Sequence, residues 1–171
     1  MKAAFTLIEL LVVIVIVAVI AALCVPAYHR TAEMAKAVGC LSNLRQIGCA
    51  LQSYLADNDN VMPELQAGRS SKSDDGPAID TVLAQYADDP KVFACPGDRH
   101  IAADTGTSYY WNTVLNNQSI LGLSFLTIDD LTRIPIIADK EAFHPYSQNK
   151  VNILYADGHA TKELKFSTST P

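Results

Sequence analysis

Hydrophobic and polar positions divide this chain into three regimes. From Leu10 to Ala27 no residue is charged. At 1.5 Å per residue a helix over these positions reaches roughly 27 Å, close to the apolar core of a bilayer, about 30 Å. Phe5, Leu7 and Ile8 complete the span, while Glu9 interrupts its leading edge. A carboxylate at depth in lipid is costly, so Glu9 requires a partner. From Tyr28 to Leu55 the spacing changes to i, i+3, i+4, i+7. Val38, Leu41, Leu44, Ile47, Leu51, Tyr54 and Leu55 form the apolar stripe, and Glu33, Lys36, Ser42, Arg45, Gln46 and Gln52 lie on the reverse face. The two regimes predict one helix over 5–55, about 76 Å long by the standard rise. Its inner half would lie in lipid and its outer half would form the spine of a soluble domain. Pro26 removes a backbone donor and clashes one turn back, predicting a kink or local melting near Ala22–Pro26. Gly39 and Gly48 allow another element to approach closely.

The third regime is mixed. Ala56–Asn60 is a run of turn-forming residues that ends the rod, and 67–77 (AGRSSKSDDGP) is small, polar and charged, predicting a surface loop. Asp80–Tyr86 predicts a short helix with Asp80 near its positive end, and Val92–Cys95 is an apolar stretch stopped by Pro96–Gly97. Three strands follow: Thr107–Val114, Arg133–Asp139 with Pro135 at an edge or strand start, and Val151–Ala156. Asp157–Gly158 then predicts a hairpin turn into 159–165, and 167–171 is a polar tail. The predicted fold class is α+β, a long N-terminal helix whose outer half packs on a small antiparallel sheet.

Composition narrows the picture. A chain of 171 residues has room for one anchor helix and one modest domain, over 28–171. Beyond Ala27 there are 12 basic and 17 acidic residues, with no basic stripe, which argues against nucleic acid as a partner. Lys2 and the amino terminus favour keeping the N-terminal end cytoplasmic and exporting the rest. Glu9 and the bulky Cys24–Val25–Pro26–Ala27 argue against an ordinary cleaved signal peptide, and Leu23 before Cys24 against a lipoprotein signal. An uncleaved anchor remains the simplest alternative. No G-x-S-x-G, H-E-x-x-H or phosphate-binding glycine loop is present, so the sequence predicts no enzyme.

The stretch Ala4–Phe5–Thr6–Leu7–Ile8–Glu9 resembles the processing site of type IV prepilins and type II secretion pseudopilins. The resemblance implies a leader over 1–4, a transmembrane and polymerisation helix over 5–27, and cleavage between Ala4 and Phe5 by a prepilin peptidase. It also implies N-methylation at Phe5 and an assembly role for Glu9. The freed amino group of a neighbouring subunit would supply the charge that Glu9 lacks. Ala4 stands where the family usually has Gly, which predicts slower processing. The implied location is the bacterial inner membrane, single pass, N-terminus cytoplasmic and C-terminal domain extracytoplasmic, then a filament. The implied partners are further copies of the chain, other pilin-like subunits, the peptidase, an inner-membrane assembly platform and membrane lipid. The expected function is a filament subunit, a major-type secretion pseudopilin foremost. The alternatives are a type IV pilus subunit or an anchored binding module that never polymerises. Downstream, Cys40 with Asn43–Leu44–Arg45–Gln46, Cys95–Pro96, Ser108–Tyr109, and His144 with Asp157–Gly158–His159 resemble the prepilin-type family known by its His-x9-Asp-Gly signature. Here twelve residues separate His144 from Asp157.

Candidate chemistry is sparse. The four cysteines, Cys24, Cys40, Cys49 and Cys95, lack a zinc-like spacing. At 100° per residue Cys40 lies near the apolar stripe and Cys49 points away from it, so Cys40–Cys95 is the favoured disulfide. Reduced thiols are the alternative. Asp139, Glu141 and Asp157 are candidate calcium ligands at one end of the sheet. Strand-end and turn chemistry account for Asp139 and Asp157 more simply, and the nearby His144 and His159 suit zinc better than calcium. No cofactor is required.

Overall fold

The computed structural model describes residues 6–145 and 150–162. A single helix, α1 (Leu7–Asp57), fills the first third of the chain. Its end follows from local chemistry. The Asn58 backbone N–H and side-chain amide donate to the Leu55 and Tyr54 carbonyls at 3.2 and 2.8 Å. Asp59 and Asn60 then take positive φ of 51° and 60°, a conformation Asp and Asn tolerate better than most residues. The helix is continuous through Pro26.

The outer half of α1 buries Ala37, Cys40, Leu44, Ile47, Gly48, Ala50, Leu51 and Leu55. This is the predicted stripe rotated slightly. Val38 is 58% exposed and does not belong to it, because Ala37 and Cys40 occupy the facing positions. Leu41 and Tyr54 pack at its margin. The core lies between this face and the strands, where Leu44, Ile47 and Leu51 join Tyr109, Trp111, Ile137 and Leu154. Each such side chain contributes about 1.5–3 kcal/mol by leaving water.

Short elements connect helix to sheet: α2 (Ile79–Val82), α3 (Ile101–Thr105), and 3-10 turns at Ala84–Tyr86 and Pro90–Phe93. The sheet is four-stranded and antiparallel in sequential order: β1 (Tyr109–Trp111), β2 (Pro135–Asp139), β3 (Ile153–Tyr155) and β4 (Ala160–Thr161). Pro135 is the first residue of β2, and an irregularity between Pro135 and Ile137 lets the strand sit centrally despite the missing donor. The strands are shorter than their sequence pattern. β1 stops at Trp111 because the Asn112 side chain accepts from the Val114 amide and opens a 3-10 turn over Thr113–Leu115. Asp157–Gly158 makes the expected turn, with Gly158 at φ 89°. The predicted continuation of that hairpin beyond residue 162, and the polar tail, lie outside the described residues.

The 67–77 segment departs from expectation at one point. Arg69 is buried and ion-paired with Asp80, which therefore binds a guanidinium as well as sitting in the first turn of α2.

Candidate functional site

The leading edge of α1 is built by Thr6 and Glu9. The Thr6 hydroxyl accepts from the Glu9 amide at 3.2 Å. The Glu9 carboxylate in turn accepts from the Thr6 amide at 3.0 Å and the Thr6 hydroxyl at 2.9 Å. This is a reciprocal capping box: each side chain satisfies an amide that the first helical turn leaves unpaired. Thr6 escaped the sequence argument, although its three-residue spacing from Glu9 ahead of an apolar run is the signal for such a box. From Thr6 to Thr31 every residue is exposed, so none of the apolar positions of this half is buried by the other described residues. Length and composition make α1 a helix able to cross a membrane, close to the N-terminus. Ala4 and Phe5, the expected cleavage pair, lie outside the described residues.

The second constellation is internal. Cross-strand partners share a face of a sheet, and the register sets Tyr109 of β1 opposite Asp139 of β2. Both are buried toward α1, where Cys40 meets them. Cys40 Sγ lies 3.3 Å from the Tyr109 hydroxyl and 3.2 Å from Asp139 Oδ1. Cys95 and His144 close the cluster, with His144 Nε2 at 3.5 Å from Cys95 Sγ and 3.3 Å from Asp139 Oδ2. One donor atom from each of Cys40, Cys95, Asp139 and His144 lies within 4.8 Å of the others, and all four residues are buried. Cys40 and Cys95, expected as a disulfide, are thus brought together, but as free thiols. Cys49 is exposed, on the side away from the core as expected, and Cys24 is exposed in the apolar half.

Surrounding groups hold this cluster in place. The Cys95 amide donates to Ser108 Oγ at 2.8 Å, and Ser108 donates to Asp98 Oδ2 at 2.6 Å. Burial works to raise Asp98, but Ser108 and the amides of Ala102, His100 and Ile101 outweigh it and hold the carboxyl below its ordinary range. The Gly97 amide donates to Cys95 Sγ at 3.3 Å, and the Asn152 amide to Asp139 Oδ2 at 2.7 Å. Gly97 has no room for a side chain: a Cβ there would sit 3.0 Å from the Phe143 carbonyl and 3.2 Å from His144 Cε1. The electrostatics follow from these contacts. A hydrogen bond with Cys40 pulls the Cys95 thiol down to about 6 against its burial, helped by His144 and the Gly97 amide. The same bond, with burial, pushes Cys40 up. Burial works against the His144 cation, yet Asp139 and Cys95 overcome it and raise the imidazole to about 9. Burial raises Tyr109, which stays a neutral donor.

Asp139, Glu141 and Asp157 do not assemble among the described residues. Asp139 belongs to the thiol cluster. Asp157 binds His159 Nδ1 at 2.5 Å, and that imidazole stacks on Tyr155 with ring centroids 4.6 Å apart. Glu141 is exposed and lines a cleft of about 490 Å³ with His29, Glu33 and His100.

Comparison with known families finds the prokaryotic N-terminal methylation motif over residues 1–25. That motif covers the stretch that carries the expected processing site, and the pairing of a long N-terminal helix with a small antiparallel sheet is consistent with an α+β pilin-like fold. No curated protein and no solved structure matches the chain.

Proposed function

We propose that this chain, type IV pilin-like by its N-terminal motif and its fold, is a structural filament subunit, and specifically a major-type pseudopilin of a type II secretion system. In this proposal a prepilin peptidase cuts between Ala4 and Phe5, Phe5 is methylated, and the subunit enters a filament from the inner membrane through an assembly platform. The observation that carries it is the state of α1. Its first half is apolar, left exposed by the other described residues, and led by a carboxylate that a lone membrane anchor would not need. In a filament the neighbouring helices would cover that surface, and the amino group of an adjacent subunit would neutralise Glu9. Pro26 would let the two halves of the rod bend as subunits pack.

Intact-mass analysis of protein from the native membrane tests processing. A chain beginning at methylated Phe5 is expected; retention of Met1 marks a plain anchor and overturns the proposal. Glu9→Gln separates charge from capping, because the amide still accepts from Thr6. It is expected to insert into the membrane normally and to be lost from filaments, while Thr6→Ala, which keeps the charge, is expected to assemble. Deletion is expected to block release of secreted proteins. Loss of surface fibres with secretion intact would instead make the chain a type IV pilus subunit.

A further inference from the structure

We propose that Cys40, Cys95, Asp139 and His144 form a structural zinc site that ties the outer half of α1 to the sheet. The geometry carries the assignment. A tetrahedral zinc ion with bonds of about 2.3 Å to sulfur and about 2.0–2.2 Å to nitrogen and oxygen requires its ligand atoms to stand about 3.3–3.8 Å apart. Two edges fall in that range, 3.5 Å from Cys95 Sγ to His144 Nε2 and 3.3 Å from His144 Nε2 to Asp139 Oδ2, while Cys40 Sγ lies 3.2 Å from the other carboxylate oxygen, Oδ1, and all four donors stand within 4.8 Å of one another. The donor atoms come from four places in the fold: α1, the turn after Pro90–Phe93, the end of β2, and the loop that follows it.

Donor chemistry selects the metal. Two sulfurs and an imidazole suit zinc, whereas calcium takes six to eight oxygens and magnesium an octahedron of them. The surrounding groups fit the charge that results. Binding uses two thiolates, a carboxylate and a neutral imidazole, so the thiol protons and any imidazolium proton leave to solvent. The surplus negative charge falls on atoms that already face donors: Cys95 Sγ receives the Gly97 amide, Cys40 Sγ the Tyr109 hydroxyl, and Asp139 the Asn152 amide. His144 Nδ1 is buried without a hydrogen-bond partner, so the polar contacts of the ring pass through Nε2, the atom that faces the other three donors. The four ligands are buried, with no position open to substrate, which fits a structural ion.

The test uses the full-length chain in detergent, purified without chelator. Elemental analysis is expected to find about one zinc per chain, as a closed four-ligand site holds. Cys40→Ser and Cys95→Ser are expected to lose the metal, and Cys49→Ser, at an exposed position, to keep it. Cobalt exchange guards against variants that merely misfold. The wild-type chain is expected to show sulfur-to-cobalt charge transfer in the ultraviolet and intense visible bands of tetrahedral cobalt. Chelation is expected to lower the melting temperature. A metal-free wild-type chain with two buried reactive thiols overturns the proposal in favour of a bare thiol and ion-pair cluster. An intact mass lower by two hydrogens overturns it in favour of a Cys40–Cys95 disulfide.

Discussion

Glu9 and Arg69 are two charged residues with opposite legibility. Glu9 stands out because it is the lone charge in an apolar leading edge, so its need for a partner is visible in one dimension. The structure adds that Thr6 already satisfies part of that need within the helix. Arg69 sits in a polar, glycine-containing stretch and looks like solvent-facing sequence, yet it is buried against Asp80. Removing one member of a buried pair leaves the other charged and desolvated, which costs about 3–5 kcal/mol. Arg69→Ala is therefore expected to destabilise the domain by about 3 kcal/mol in chemical denaturation, with Arg69→Lys intermediate because an ammonium lacks the planar fork. A cost within experimental error would show that Asp80 is solvated. Gly106, at φ 95°, lies directly under the pair, where a Cβ would clash with both side chains.

At the level of elements, α1 and the sheet meet through glycines. A Cβ at Gly48 would lie 3.1 Å from Leu154 Cδ1 of β3, and one at Gly39 would lie 3.2 Å from Cγ of Pro96, next to Cys95. These contacts set how near the helix approaches both the strand and the cluster. Gly48→Val gains helix propensity but overpacks this contact, and overpacking costs about 1–3 kcal/mol. It is expected to lower the denaturation midpoint, whereas Gly122→Ala, with nothing within 4 Å of its Cβ, is expected to leave it unchanged. The helix itself was legible over nearly its whole length because its periodicity is sustained. The exposure of Val38 was not, since neighbouring apolar positions differ only by a rotation that the docked sheet decides. The strands were located correctly and overdrawn in length, because side-chain caps such as Asn112 end them before the β-branched pattern does.

The whole molecule has two halves with separate energetics. No residue from Thr6 to Thr31 is buried, while the outer half of α1 belongs to the domain core. Substitutions in one half are therefore expected to leave the other unaffected, as distant sites without shared partners are additive. Ile14→Lys places a charge in the apolar half, where lysine costs about 2.5–3.5 kcal/mol at the centre of a span. Less protein is expected in the membrane fraction, with the melting temperature of the domain unchanged. A shift of that melting temperature would show that the two halves fold as one unit.

The sequence by itself determined the properties that depend on near neighbours: the membrane-length helix, the carboxylate at its leading edge, the methylation motif, the strand positions and the glycine turn at Asp157–Gly158. Each follows from spacing or residue type within a few turns of chain. Tertiary structure alone decided which side chains meet across it. Cys40, Cys95, Asp139 and His144 span 99 positions from Cys40 to Asp139 alone, and no local period links them. They converge because β1–β2 register sets Tyr109 beside Asp139, and because α1 can pack closely enough for Cys40 to reach both. Asp139 is buried in that cluster, whereas Glu141 is exposed and Asp157 holds His159. A cluster of donors is a fact about the distance between elements, and that distance is fixed only when the apolar face of α1 closes on the sheet.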